Sequence, residues 1–291
     1  MTVAVTHDPV AVYEHARSEL RRARRAKELL FVLLFVAVFA FSLNVGEVSI
    51  ATLADGLPDF FGYISDTIPT IGSDHIVADV REWFWAFPRW LGLLFDTIII
   101  AFLGTLLGTV GALTLCFAGS RNLITHRWVY FLARRCMEIA RSVPELVYAL
   151  IFVYAFGLGS LPGVLAVMIH STGALGKLFA EVNENAHMGA VEGVRAAGGN
   201  WLQIVRLAVL PQVLPNYLSY VLLRFEINVR SAAVIGFVGA GGIGQELLFV
   251  IRQFVYTDIS AIVLMIIVTV SLIDMTCEKL RHRFIAGQRS A

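Results

Sequence analysis

Apolar residues crowd into six stretches of the 291-residue chain, near Leu29 to Val45, Leu91 to Phe117, Pro144 to Gly157 with its flanks, Leu161 to Phe179, Val213 to Phe237 and Ile259 to Met275. About 20 apolar residues in a helix cross the hydrocarbon core of a bilayer, so each stretch predicts a membrane span. The expected fold class is an all-α membrane protein of six transmembrane helices. Between the fourth and fifth spans the pattern changes. Ala190 to Pro211, AVEGVRAAGGNWLQIVRLAVLP, is polar, helical in period and broken by two adjacent glycines. It predicts a short helix over Val191 to Ala197, a break at Gly198-Gly199 where left-handed or extended backbone is accessible, and an amphipathic piece over Trp201 to Val209. Pro211 then lets the chain re-enter the membrane with a bend.

Composition and charge place these elements. Hydrophobic residues make up 57% of the chain and charged residues 15%, a balance that excludes an ordinary soluble domain. Basic residues gather before the first span (Arg17, Arg21, Arg22, Arg24, Arg25, Lys27), after the second (Arg121, Arg127, Arg134, Arg135) and at the end (Lys279, Arg281, Arg283). Basic connections stay on the cytoplasmic side, so both termini are expected inside. The connection from Gly46 to Pro88 carries seven acids against Arg81 alone and is expected outside, as an extended connector with short helical pieces. Six crossings then put the loop holding Glu192 inside, without reference to any motif. The organisation is a cytoplasmic N-terminal helix (1–28), a first span (29–45), an extracytoplasmic connector (46–88), a five-span core (89–285) with its loop at 186–211, and a tail (286–291). The N-terminal basic run reads as a membrane anchor, not as a cleaved signal. A net charge of +1 gives no support to a nucleic-acid partner.

Candidate chemistry is concentrated in charges within spans, which are costly in lipid and functional by default. Arg224, Glu226, Asn228 and Arg230 lie in the fifth span, and Arg141 and Glu145 near the third. Helical spacing pairs Glu226 with Arg230 and Arg141 with Glu145, while Arg224 has no acid at helical spacing. Two readings stay open: the pairs neutralise each other, or the arginines bind an oxyanion through the bidentate geometry of guanidinium. Gly239, Gly241, Gly242 and Gly244 match a dinucleotide-binding pattern letter for letter, but that pattern requires a preceding strand, and here a predicted membrane helix precedes it. The glycines instead predict unwinding, either as an anion path or outer gate or as a tight turn between packed helices. Three cysteines and seven histidines show no metal spacing; His170 is expected as a hydrogen-bonded core residue.

The 190–211 segment resembles the loop through which ABC importer permeases meet their ATPase. Glu192, Gly198, Leu210 and Pro211 fall in register, while Gly193, Val194 and Ala208 depart from the usual residues. Phe225 to Gly236, running into the glycines, and Arg141-Ser142-Val143-Pro144-Glu145-Leu146 resemble phosphonate ABC transporter permeases, and the likeness extends roughly from Phe87 to Ile285. The resemblance implies a type I importer permease fold of the MetI kind, alternating access in a bacterial cytoplasmic membrane, and phosphonate or a related phosphorus oxyanion as cargo. It implies coupling through Glu192, Gly193, Arg195, Ala197, Gly198, Leu210 and Pro211. It further implies two ATPase subunits holding ATP and magnesium, a soluble extracytoplasmic binding protein, and a second permease copy as a homodimer in lipid. No cofactor is expected in this chain: Gly176-Lys177 is followed by Leu178, so no phosphate-cradling loop is present. The alternatives are a permease for an amino acid or sulfonate, or an ion-coupled secondary transporter.

Overall fold

The computed structural model describes residues 9–47, 49–70, 72, 74–124 and 126–286; most of the expected C-terminal tail lies outside them. Two compact units divide the chain, Met1–Ser65 and Asp66–Ala291. In the first, α1 (Pro9–Val45) is one unbroken helix whose apolar C-terminal half includes Leu29 to Phe41, and α2 (Ile50–Thr67) follows it. The acidic connector therefore opens with an 18-residue helix rather than short pieces, even though Pro58 removes one backbone donor from its interior.

The second unit contains α3 (Ile76–Trp83), α4 (Phe87–Ala118), α5 (Arg127–Ser142), α6 (Glu145–Phe156), α7 (Ser160–Glu184), α8 (Met188–Ala196), α9 (Trp201–Gln203), a π-helical stretch (Ile204–Val209), α10 (Leu210–Ile235), a short 3-10 turn (Gly236–Val238), α11 (Ile243–Arg252) and α12 (Tyr256–Ala286). By length and composition, parts of α1 and α12 and the whole of α4 and α7 suffice to cross a membrane, and the total reaches six when two bent pairs each count as one span. The expected third span is one of these pairs: α5 and α6 meet at 86°. Pro144 is the cause. The residue before a proline is driven from helical to extended backbone, Val143 sits at φ −83°, ψ 127°, and Pro144 caps the next helix. Arg141 and Glu145 thus fall on different helices, and the pairing expected from their spacing does not form.

Lipid offers no hydrophobic drive between spans, so close packing through small residues holds them together. α4 and α7 make the most extensive contact. Gly104, Gly108 and Gly111 of α4 lie against Val167, Ser171 and Thr172 of α7, and a Cβ on Gly108 would come within 2.7 Å of Ser171 Cβ. α7 turns Gly173 and Gly176 towards α5, where Met137 is buried. At the far end, Trp83 Nε1 donates to Thr257 O and Ser260 Oγ, both at 3.1 Å, while Trp85 Nε1 reaches Asp258, tying the α3 region to the start of α12.

A side chain at Gly173 would meet backbone on two sides, Met137 O at 2.6 Å and Arg141 N at 2.7 Å. Gly173→Val is expected to destabilise by about 1–3 kcal/mol, the usual scale of overpacking, and to lower the thermal midpoint in detergent. Gly92→Ala, where nothing lies within 4 Å, should stay within about 0.5 kcal/mol of the parent or above it.

Candidate functional site

The polar segment after α7 folds as a surface element with a buried underside. α8 inserts Val191 into the core, fully buried, alongside Ile204, Ala208 and Val209 of the π-helical stretch, with Met188 and Val194 packed at the edge. Its other face leaves Glu192, Gly193 and Arg195 exposed, followed by exposed Ala197 and Gly198. The helix ends in a Schellman turn. Gly198 at φ 82° lets its N–H reach Arg195 O and the Gly199 N–H reach Val194 O. Asn200 and Gln203 then form a reciprocal capping box that starts the next helix. The expected amphipathic piece is mostly π-helix, with the Leu210 N–H bonded five residues back to Val205 O. Pro211, which has no N–H to continue the ordinary ladder, follows at once.

A buried polar cluster lies behind this element. Asn183, fully buried, donates to Ser120 Oγ at 3.0 Å and accepts from Tyr217 Oη at 2.6 Å. Tyr217 stacks on Phe179 at 4.0 Å. Arg134 bridges Gly119 O and Glu184, each at 2.8 Å. The ends of α4, α5, α7 and α10 are therefore fastened together where α8 departs. Asn228 and the charged groups stand out within the spans; Asn183, Ser120 and Tyr217 are neutral and sit towards span ends, and their mutual hydrogen bonds are what mark them.

A second cluster sits midway along α7 and α10. Arg224, without an acid at helical spacing, finds one across space: its Nη2 donates to Glu145 Oε1 and its Nε to Ser171 Oγ at 3.3 Å. Both charged side chains are nearly buried, at 12% and 11% exposure. Asn228, fully buried, donates to Ser171 Oγ at 2.8 Å and Thr105 Oγ1 at 2.7 Å, while its carbonyl oxygen has no partner among the described residues. His170 Nδ1 lies 3.1 Å from Val143 O at the α5–α6 break, and its Nε2 is 3.7 Å from Glu145. Arg230 does approach Glu226 at 3.9 Å, and Asp274 of α12 more closely at 3.3 Å. Among the described residues, no group of three or more His, Cys, Asp or Glu side chains is placed to hold a metal ion.

The glycine segment unwinds as its composition dictates. Gly239, Gly241 and Gly242 take φ of 86°, 81° and 75°, and α11 begins at Ile243, whose N–H is capped by Thr97 Oγ1 at 2.9 Å. The segment is packed: a Cβ on Gly242 would fall 2.4 Å from Thr97 Oγ1, and one on Gly244, inside α11, 1.8 Å from Ala233 O. It also lines a cavity of about 740 Å³ with Arg89, Asp96, Ser160, Glu246 and Arg252, where Arg89 pairs with Glu246 at 2.9 Å.

Residues 113–277 match the family model of the binding-protein-dependent transport system inner membrane component. The chain belongs to that family. The permease, a multi-pass membrane protein, is 39% identical over 240 residues to the phosphite transport system permease protein PtxC of Stutzerimonas stutzeri, covering 82% of this chain and 83% of that one. It is 37% identical over 232 residues to the phosphate-import permease protein PhnE of Mycolicibacterium smegmatis, covering 77% of this chain and 44% of that longer one. In fold it is similar to a chain of the MetNI methionine ABC transporter in an inward-facing conformation, with a TM-score of 0.59 at 20% identity, over 67% of this chain and 95% of that one. The expected MetI-like importer fold and the expected kinship with phosphorus-oxyanion permeases are both borne out.

Breaking one side of a buried ion pair strands the other, at about 3–5 kcal/mol. Arg224→Gln and Glu145→Gln are each expected to destabilise on that scale in detergent melts. The double variant should lose clearly less than the two single losses together; additivity would show that the two side chains are not energetically coupled.

Proposed function

We propose that the permease is the membrane half of an ATP-driven importer for phosphorus oxyanions, phosphonate, phosphite or phosphate, working by alternating access in a bacterial cytoplasmic membrane. Family membership together with relatives named for phosphite and phosphate carries this reading. Arginines within and beside the spans support it, since guanidinium matches tetrahedral oxyanions in geometry and charge. Two copies of this chain form the pathway, and a soluble binding protein delivers cargo at the outer face, where the acidic connector lies.

Hydrolysis of ATP with magnesium belongs to two separate ATPase subunits at the inner face. α8 is the docking helix. Its exposed Glu192, Gly193, Arg195, Ala197 and Gly198 face the ATPase, while Val191 seats it in the core and Leu210-Pro211 starts the returning span. When the ATPase dimer closes it pushes α8, and the Asn183, Tyr217 and Arg134 contacts carry the displacement into α4, α5, α7 and α10. The bundle then reorients from inward-facing to outward-facing.

Glu192 is exposed and makes no side-chain hydrogen bond or ion pair among the described residues, so its replacement tests docking without disturbing packing. Glu192→Lys is expected to abolish copurification of the ATPase, and with it phosphite uptake, from a permease that melts within about 0.5 kcal/mol of the parent. Normal copurification and uptake would remove α8 as the docking helix.

A further inference from the structure

The break between α5 and α6 lies beside a small cationic cavity. It measures about 360 Å³ and is lined by Arg141, His170, Lys177, Glu181 and Arg224 with two apolar residues. Helices interrupted at membrane depth are tolerated where the freed backbone is buried or lines a polar cavity, and in secondary transporters such interruptions recur at the cargo site. Here the interruption is partly satisfied from within, because His170 Nδ1 meets Val143 O at the break.

Charge within the cavity is unbalanced. Glu145 occupies Arg224, and Glu181 stands 3.6 Å from Lys177. Arg141, at the last turn of α5, has no carboxylate within ion-pair distance among the described residues. Three basic side chains, Arg141, Lys177 and Arg224, stand against two carboxylates, Glu145 and Glu181, so one basic group is left without an acidic partner. On the other side of the same ion pair, a cavity of about 390 Å³ is lined by Glu145, Arg230 and Ser231. The Glu145–Arg224 pair thus stands between two cavities, each with an arginine on its wall. By contrast, the larger cavity at the glycine segment balances Arg89 and Arg252 against Asp96 and Glu246 and selects for neither sign.

We propose that the cavity at the α5–α6 break is an oxyanion site on the transport path, in which Arg141 and Lys177 hold the anion and Arg224 is shared between it and Glu145. Glu145 is the resident counter-ion: it keeps Arg224 paired when the site is empty and competes with the cargo when it is full. A tetrahedral anion with several acceptor oxygens satisfies more than one guanidinium or ammonium donor at once, which a single-oxygen or neutral solute does not. The site rests on the phosphorus-oxyanion reading and refines it to particular residues.

The test uses the permease reconstituted with its ATPase and binding protein, with radiolabelled phosphite as the probe and methylphosphonate and inorganic phosphate as parallel cargoes. Arg141→Gln, which breaks no ion pair, is expected to cut uptake roughly ten-fold or more, the scale of one charge-assisted hydrogen bond, with the ATPase still copurifying. Lys177→Gln should do the same and decides the matter should Arg141→Gln fail to assemble. Undiminished uptake in an assembled variant overturns the site, as does uptake that falls only in step with lost assembly in both. A parent complex that moves none of the three anions refutes the oxyanion reading itself, so the two failures are distinguishable.

Discussion

A guanidinium halfway along a membrane span must meet a carboxylate, and in this chain the carboxylate comes from another helix. Arg224 of α10 finds Glu145 at the first turn of α6, and much of the bundle's arrangement follows from that meeting. α6 can present Glu145 there only because Pro144 ends α5 and turns the chain by 86°. Ser171 and Asn228 extend the pair into a neutral network that reaches Thr105 on α4. Four helices are joined at one buried point, which is where an unpaired charge would be least tolerable.

A second point, nearer α8, fastens α5 in place of α6 to the same α4, α7 and α10. Asn183 and Tyr217 join α7 to α10, while Arg134 and Glu184 bring in α5. Between the two points, glycines on α4 and α7 let backbones approach too closely for any side chain. Interiors packed this closely have low compressibility and transmit strain. That is the property the proposed coupling through α8 calls on, and the π-helical stretch before Pro211 is the irregular segment beside it.

Local signals in the sequence located much of this. Apolar runs placed the spans, and charge placed the loops. The 190–211 segment was legible because its signals are short-range: glycines where the helix breaks and a left-handed residue is needed, and proline at the return. The pairing of Arg224 was not legible, because Glu145 lies far away in sequence and only packing brings the two together. The Arg141 and Glu145 reading failed for a local reason, since helical spacing was carried across Pro144. Neutral polar residues such as Asn183, Ser171 and Thr105 gave a weaker signal than charges, although lipid constrains them in the same way. The close-packing glycines of α4 stood in plain sight at helical spacing and acquire meaning only with α7 alongside.

On the proposed function, this chain moves a phosphorus oxyanion only when a separate motor drives it. The direct measurement is accumulation of radiolabelled phosphite in proteoliposomes containing the permease, with ATPase and binding protein added or withheld. Accumulation is expected to require both partners and ATP, to be competed by phosphate or methylphosphonate, and to be indifferent to ion gradients. Gradient-driven uptake by the permease alone would contradict it.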